Sequence, residues 1–273
     1  MDNLHQYAHK FFVRNSKLAR NHSLVPFYQK YVDRNRKRVL IACMPKSASS
    51  LMSEILRHYL GFPLHGLTRI HAKSDTEISW SRLGAVITSD ALFVHQHVRA
   101  SENTLQVIRL FNIHTVVMIR NLLDSVVSFR DHLNREGLEI PMAYVDDHFL
   151  QWESRRQYEF VIDLILPWHL NFLGTWVAAS KQRDIALLWL NYSDWIHEPE
   201  GAVKQIDAFC GLPHREEAAR EAVARARKSG IRFNVGTSGR GRELLDEDLQ
   251  AKVRHLFSYY PTLEPYRPQL IES

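Results

Sequence analysis

Short unbroken apolar runs alternate along this chain with longer stretches in which apolar residues recur every three or four positions. Arg38-Val-Leu-Ile-Ala-Cys43 is an apolar run too brief for a helix and predicts a buried strand. From Ser49 onward Leu51, Ile55, Leu56, Tyr59 and Leu60 follow helical spacing, and Gly61 and Pro63 end the pattern. A second strand is predicted at Ala91-Leu-Phe-Val-His95, with a helix around Leu105 to Phe111 after it. The third, Thr115-Val-Val-Met-Ile119, is rich in β-branched residues, and the helix beyond it carries Leu122, Leu123, Val126 and Val127 on one face. Residues 145–180 read as mostly helical, Ile185–Leu190 as a fourth strand, and helices follow near 198–210, 215–228 and 245–257. Apolar strands alternating with amphipathic helices predict an α/β fold, a mostly parallel central sheet flanked by helices on both faces. Ligands of such sheets bind beyond the carboxyl ends of the strands. The loops after Cys43, His95, Ile119 and Leu190 are therefore where chemistry is expected.

Composition adds boundaries to this picture. Residues 1–36 are polar, basic and aromatic and predict a helical extension, leaving 37–273 as the main domain. The formal charge of +5 favours an anionic ligand without choosing one. Basic residues are dense only at Arg34–Arg38, read as a solvated face leading into the first strand, so no nucleic-acid partner is expected. Two cysteines, Cys43 and Cys210, sit among apolar neighbours and cannot build a disulfide framework. The first residues carry no secretory pattern, and the most apolar window, 160–179, contains Asp163, Pro167, His169 and Asn171. No transmembrane segment and a cytoplasmic location are the expectations.

Two loops carry the candidate chemistry. Met44-Pro45-Lys46-Ser47-Ala48-Ser49-Ser50 feeds directly into a helix, so hydroxyls, one lysine and the helix's first N–H groups form an anion cradle. It lacks the Gly-x4-Gly-Lys-Ser/Thr pattern of a Walker loop. After the third strand, Arg120 offers a planar donor fork suited to a phosphate, Asn121 is placed to cap the following helix, and Ser128 lies on the face of Asp124.

Together, Pro-Lys-Ser-x-Ser-Ser after a first strand and Arg-Asn-x-x-Asp-x-x-Val-Ser after a later one resemble the sulfotransferase family. The resemblance extends over about residues 38–257 and implies a P-loop-like fold. The donor it implies is 3′-phosphoadenosine 5′-phosphosulfate (PAPS), leaving adenosine 3′,5′-bisphosphate (PAP) as product. It assigns Lys46, Ser47, Ala48, Ser49 and Ser50 to the 5′-phosphosulfate, and Arg120 and Ser128 to the 3′-phosphate, with Ser128 also restraining Lys46. Tyr192, in Leu190-Asn-Tyr-Ser-Asp194, stands where the family's tyrosine reaches the adenine. Asn234, Gly236, Gly239, Arg240 and Arg242 stand where the family has a glycine-bearing basic loop. Three departures are visible. Ala48 replaces a glycine, which calls for a backbone without positive φ; Leu51 replaces the tryptophan that stacks on adenine; and Asn234-Val235 replaces Arg-Lys, so Arg232, Arg240 or Arg242 must supply the charge.

His95-Gln96-His97-Val98 resembles the family's Lys-Thr-His-x-Pro, which makes His97 the matching base; an imidazole can take a proton from an attacking hydroxyl. Glu54, one turn into the first helix, is the alternative base. No third and fourth ligand accompany His95 and His97, so no metal is expected or required. The implied acceptor is a small molecule, glycan or lipid, and the oligomeric state is open. Segments 62–90 and 131–150 and the 232–243 loop should line the acceptor pocket, with Phe62, Trp80, Phe93, Phe129 and Tyr144 hinting at an apolar or ring-bearing molecule. A P-loop-type phosphotransferase and a non-catalytic nucleotide-binding regulator are the rival readings.

Overall fold

The computed structural model describes residues 25–67, 77–229 and 238–272. Four parallel strands, β1 (Arg38–Cys43), β2 (Ala91–Gln96), β3 (Ile113–Ile119) and β4 (Leu187–Asn191), form one sheet in the order β2-β1-β3-β4. Parallel neighbours require crossovers. Here α1 (Val25–Tyr31) precedes β1, α2 (Ser49–Leu60) lies between β1 and β2, and α3 (Glu102–Phe111) between β2 and β3. The longer path from β3 to β4 holds α4 (Leu122–Arg135), α5 (Ser154–Phe160), a π-helical turn (Val161–Ile165) and α6 (Leu166–Ser180). After β4 come the short α7 (Tyr192–Trp195), then α8 (Pro199–Cys210), α9 (Glu216–Lys228), α10 (Arg240–Leu244) and α11 (Glu247–Ser258).

All six residues of β1 are buried, because the strand is central and covered on both faces. Alternation decides which helices meet which side chains. Val39, Ile41 and Cys43 pack with Leu51 and Ile55 of α2, Ile206 of α8 and Val223 of α9. Leu40 and Ala42 turn to the other face, where they join Ile108 of α3, Val126 of α4, Phe172 of α6 and Val253 of α11. The doubly covered parallel sheet expected from the apolar pattern is thus present, with β3 starting slightly earlier and β4 slightly later than the pattern indicates.

One feature departs from the sequence reading. Arg38, expected to belong to a solvated basic face, is fully buried at the start of β1. Its guanidinium donates to the carbonyls of Val86, Asp33, Phe111 and Ile87 at 2.8–3.0 Å. In the extension, Tyr28 of α1 is buried in the core, with its hydroxyl on the Trp80 carbonyl at 2.8 Å, so residues 25–36 pack against the sheet domain. The 27-residue helical stretch Ser154–Ser180 is long and apolar enough, by length and composition, to cross a membrane. Its Phe172 and Trp176 are wholly buried in the core. Pro167 lies inside this stretch, just after the π-helical turn Val161–Ile165, where its missing N–H leaves a gap in the helical ladder.

The topology places the site. The chain passes from β1 to β2 on one side and later to β3 on the other, and α2 and α4 cover opposite faces of the sheet. Beyond the adjacent carboxyl ends of β1 and β3 this leaves a crevice flanked by the two phosphate-type loops.

Candidate functional site

The loop leaving β1 is held open by its own backbone. Lys46 has φ 66° and Ala48 φ 59°, both left-handed. The expectation that Ala48 would avoid positive φ is therefore corrected: the alanine adopts the glycine-like conformation despite its Cβ. Alternating left-handed residues turn successive N–H groups toward one concavity, the arrangement that receives anions. Ala48 is also the N-cap of α2 and makes no side-chain capping bond, its carbonyl accepting from Leu51 N at 3.0 Å. Ser47 is buried and donates to the Met44 carbonyl at 2.6 Å, and the Ser49 hydroxyl is buried where it lowers the pKa of the Cys43 thiol against the larger effect of burial. Lys46 and Ser50 are half-buried at the loop surface.

Left-handed backbone costs a non-glycine residue about 1–2 kcal/mol. Replacing alanine by glycine adds about 0.4–1 kcal/mol of unfolded-chain entropy in the opposite sense. Ala48→Gly should therefore raise stability slightly, by about 0.5 kcal/mol, in denaturant unfolding. A loss of the size usual for glycine in a helix would show that the alanine is unstrained.

Arg120, at the end of β3, joins this loop to the next one. It is buried; its Nη1 donates to the Lys46 carbonyl at 3.0 Å, and its guanidinium lies 4.1 Å from the Tyr192 ring centroid. Burial lowers its pKa, with the Tyr192 and Asp124 charges opposing the shift. Asn121 caps α4 as expected, its side chain accepting from Leu123 N at 2.9 Å and Asp124 N at 3.3 Å. Ser128 is buried one turn beyond Asp124, and its Oγ has no hydrogen-bond partner among the described residues. A polar atom left so in a core is costly unless something polar completes it.

Tyr192 is buried beneath Arg120, and desolvation raises its pKa. Segment 238–242 closes the same side. Gly239 N and Gly241 N donate to the Asp124 carboxylate at 3.0 and 2.8 Å, and Arg240 pairs with Asp131 at 2.9 Å. Arg242 is placed differently, donating to the Glu272 carbonyl near the carboxyl end. Arg232, Asn234 and Gly236 lie outside the described residues. Leu51 is buried in the core beneath the loop.

His97 follows β2 and is half-buried, with Nδ1 2.8 Å from the Cys43 carbonyl. A carbonyl only accepts, so Nδ1 carries the proton and Nε2 is the basic nitrogen of the neutral ring. The Cys43 thiol is close by, at 3.4 Å, but burial pushes it up to about 12, which keeps it protonated and inert. Glu54 is engaged elsewhere, paired with Arg57 and with His58 at 3.0 Å, and its hydrogen bond to Arg57 lowers its pKa.

Two residues of the site have no sequence signal. The Trp168 ring stands edge-on to His97 at 6.2 Å and stacks on Phe172 at 5.5 Å. Its neighbour His169 is buried against Phe129, donates to the Ile165 carbonyl at 3.2 Å, and is brought to about 4 by burial, so it stays neutral. Both lie in α6, where nearly every position is apolar and no face stands out. Of the five aromatic residues expected at an acceptor pocket, Phe93 and Phe129 are core, while Tyr144 is 87% exposed. An open cavity of about 860 Å³ is lined by Leu133, Ile140, Tyr144 and Leu150 among others, within the predicted 131–150 segment.

Comparison with known proteins follows the same lines. A model of the sulfotransferase domain matches residues 36–235. A flavonol 4′-sulfotransferase of Flaveria chlorifolia is 32% identical over 112 residues, which span 41% of this chain and a third (33%) of that protein. Among solved structures, a mouse sulfotransferase complexed with PAP superposes with TM-score 0.62 at 13% identity, covering 94% of this chain and 95% of that one. Retinol dehydratase in complex with androsterone and inactive cofactor PAP superposes with TM-score 0.53 at 14% identity, covering 83% and 80%. At such identities these are likenesses of fold.

Proposed function

The chain belongs to the sulfotransferase family, and from that premise we propose that it transfers the sulfuryl group of PAPS to a hydroxyl or amine of a small-molecule acceptor. The observation that carries this reading is the bridge between the two loops, in which the buried Arg120 donates to the Lys46 carbonyl, together with the buried Ser128 Oγ one turn beyond Asp124, which has no hydrogen-bond partner among the described residues. The β1 loop would take the 5′-phosphosulfate on its N–H groups, Lys46 and Ser50. Arg120, Ser128 and Arg240 would take the 3′-phosphate, a group that ATP and 5′-AMP lack.

The mechanism we propose is in-line displacement at sulfur. His97 Nε2 removes the acceptor proton as its oxygen attacks, and the Cys43 carbonyl fixes the tautomer that makes this possible. Lys46 stabilises negative charge on the departing bridging oxygen. Positioning and fixed dipoles supply most of the remaining effect, as in phosphoryl transfer. Glu54 is a poorer base, since its hydrogen bond to the Arg57 guanidinium holds its carboxylate below the usual range. Trp168 beside His97 would give the acceptor a flat apolar wall, which suits the ring-bearing molecules named with the relatives: a flavonol, androsterone and retinol.

Calorimetric titration with PAP, 5′-AMP and ATP at one salt concentration tests the reading. PAP should bind best by a wide margin. Arg120→Ala should weaken PAP at least about tenfold, since a charge-assisted hydrogen bond contributes about 1.5–3 kcal/mol, yet change 5′-AMP less than about threefold by the same logic. Preference for ATP would hand the chain to a phosphotransferase reading.

A further inference from the structure

We propose that Asp124 is a positioning residue that clamps segment 238–242 onto α4 and so completes the 3′-phosphate end of the nucleotide site. The inference rests on the nucleotide reading above but concerns a contact which that reading does not use.

Asp124 occupies the first turn of α4, where an acidic side chain ordinarily reaches back to cap its own helix. Asn121 already performs that task, bonding Leu123 N and Asp124 N. The Asp124 carboxylate, buried, instead spends both oxygens on another segment: Oδ2 accepts from Gly239 N and Oδ1 from Gly241 N. The fit is tight. A Cβ at Gly241 would lie 2.3 Å from the Leu123 carbonyl carbon and 2.6 Å from Asp124 N, so only glycine lets the backbone approach this closely. Between the two anchored N–H groups stands Arg240, whose guanidinium donates to Asp131 on the same face of α4. Arg240 is near enough to act electrostatically on Arg120 and Tyr192. Asp124 Oδ2 is itself 4.0 Å from Arg120 Nη2. One continuous polar chain therefore runs from the Lys46 carbonyl through Arg120 and Asp124 to the backbone around Arg240. Holding Arg240 beside Arg120 places two cations where a dianion would bind, and the two aspartates offset their repulsion until it does.

The test uses Asp124→Asn and Gly241→Ala, with PAP and 5′-AMP as probes. Asparagine keeps the shape but sets an NH2 group against one of the two backbone N–H donors. Methyl at 241 leaves the carboxylate intact and removes the approach. Each variant should bind PAP at least about tenfold more weakly while 5′-AMP changes less than about threefold, because only the 3′-phosphate end depends on the clamp. The double variant should be little worse than the weaker single one, since both break the same contact. Amide hydrogen exchange across 238–242 should quicken in Asp124→Asn. A folded Asp124→Asn that binds PAP like the wild type overturns the proposal, as does parallel loss of both nucleotides. Unchanged exchange at 238–242 overturns the clamp itself. A wild type with no preference for PAP over 5′-AMP removes the nucleotide reading, and with it any purpose for the clamp, even if exchange quickens.

Discussion

His97→Asn should lower turnover by about 10²–10⁴-fold, the usual contribution of a positioned general base, while PAP affinity stays within about twofold. Asparagine is chosen because its side-chain NH2 can take the place of Nδ1–H and keep the bond to the Cys43 carbonyl. What it removes is Nε2, the ring's basic nitrogen. The fold and the loop geometry are thus preserved, and the missing proton acceptor is isolated. The measurement is steady-state sulfuryl transfer to an acceptor found by screening ring-bearing alcohols and phenols, alongside calorimetry with PAP. Glu54→Gln serves as the comparison. Its carboxylate is occupied by Arg57 and His58, so turnover should stay within about threefold if His97 is the base. Near-normal rates in His97→Asn together with collapse in Glu54→Gln would reverse the assignment.

The parts of this site that could be read in the sequence share one property: each is local. The run Arg38–Cys43, the loop to Ser50 and the periodic α2 lie within one stretch of chain, and so do β3, Arg120 and α4. The Asn121 cap was readable for the same reason. What could not be read depends on contacts between distant segments or on backbone that contradicts residue type. Asp124 and Gly241 are 117 residues apart, and nothing near either announces the other. Ala48 takes a left-handed conformation that its side chain disfavours, because the loop around it is fixed by Ser47 on the Met44 carbonyl and by Arg120 on the Lys46 carbonyl. Trp168 faces His97 from a helix whose composition marks no particular side as functional. A motif thus located the crevice, whereas the groups that shape it came from packing.

Arg38 is the plainest case of distance overriding composition, and it carries the largest expected effect on stability. In the sequence it ends a basic run. In the structure it is wholly buried, and its guanidinium serves carbonyls at the ends of three separate segments. Phe111 is the last residue of α3, Val86 ends the helical turn Trp80–Val86 with Ile87 as its cap, and Asp33 follows α1. Carbonyls at helix ends lack partners within their own helices and carry the negative end of the dipole, so a planar cation with several donors meets three such ends at once. Burial lowers its pKa to about 10, partly opposed by Asp33 and Asp90, which leaves it charged at neutral pH. Arg38→Met fills the space but abandons the acceptors. The Ile87 and Asp33 carbonyls keep Asp33 N and Arg36 N as donors, so the Val86 and Phe111 carbonyls are the ones stranded; each costs about 1–3 kcal/mol, and after removal of the arginine's own desolvation penalty the net loss should be about 3 kcal/mol. That is a large share of the 5–15 kcal/mol typical of a domain and corresponds to a fall in Tm of about 6–12 °C. Arg36→Met, which breaks only an exposed pair with Asp33, should stay within about 0.5 kcal/mol. Equal stability of the two variants in urea unfolding would mean that the Val86 and Phe111 carbonyls find other partners once Arg38 is gone.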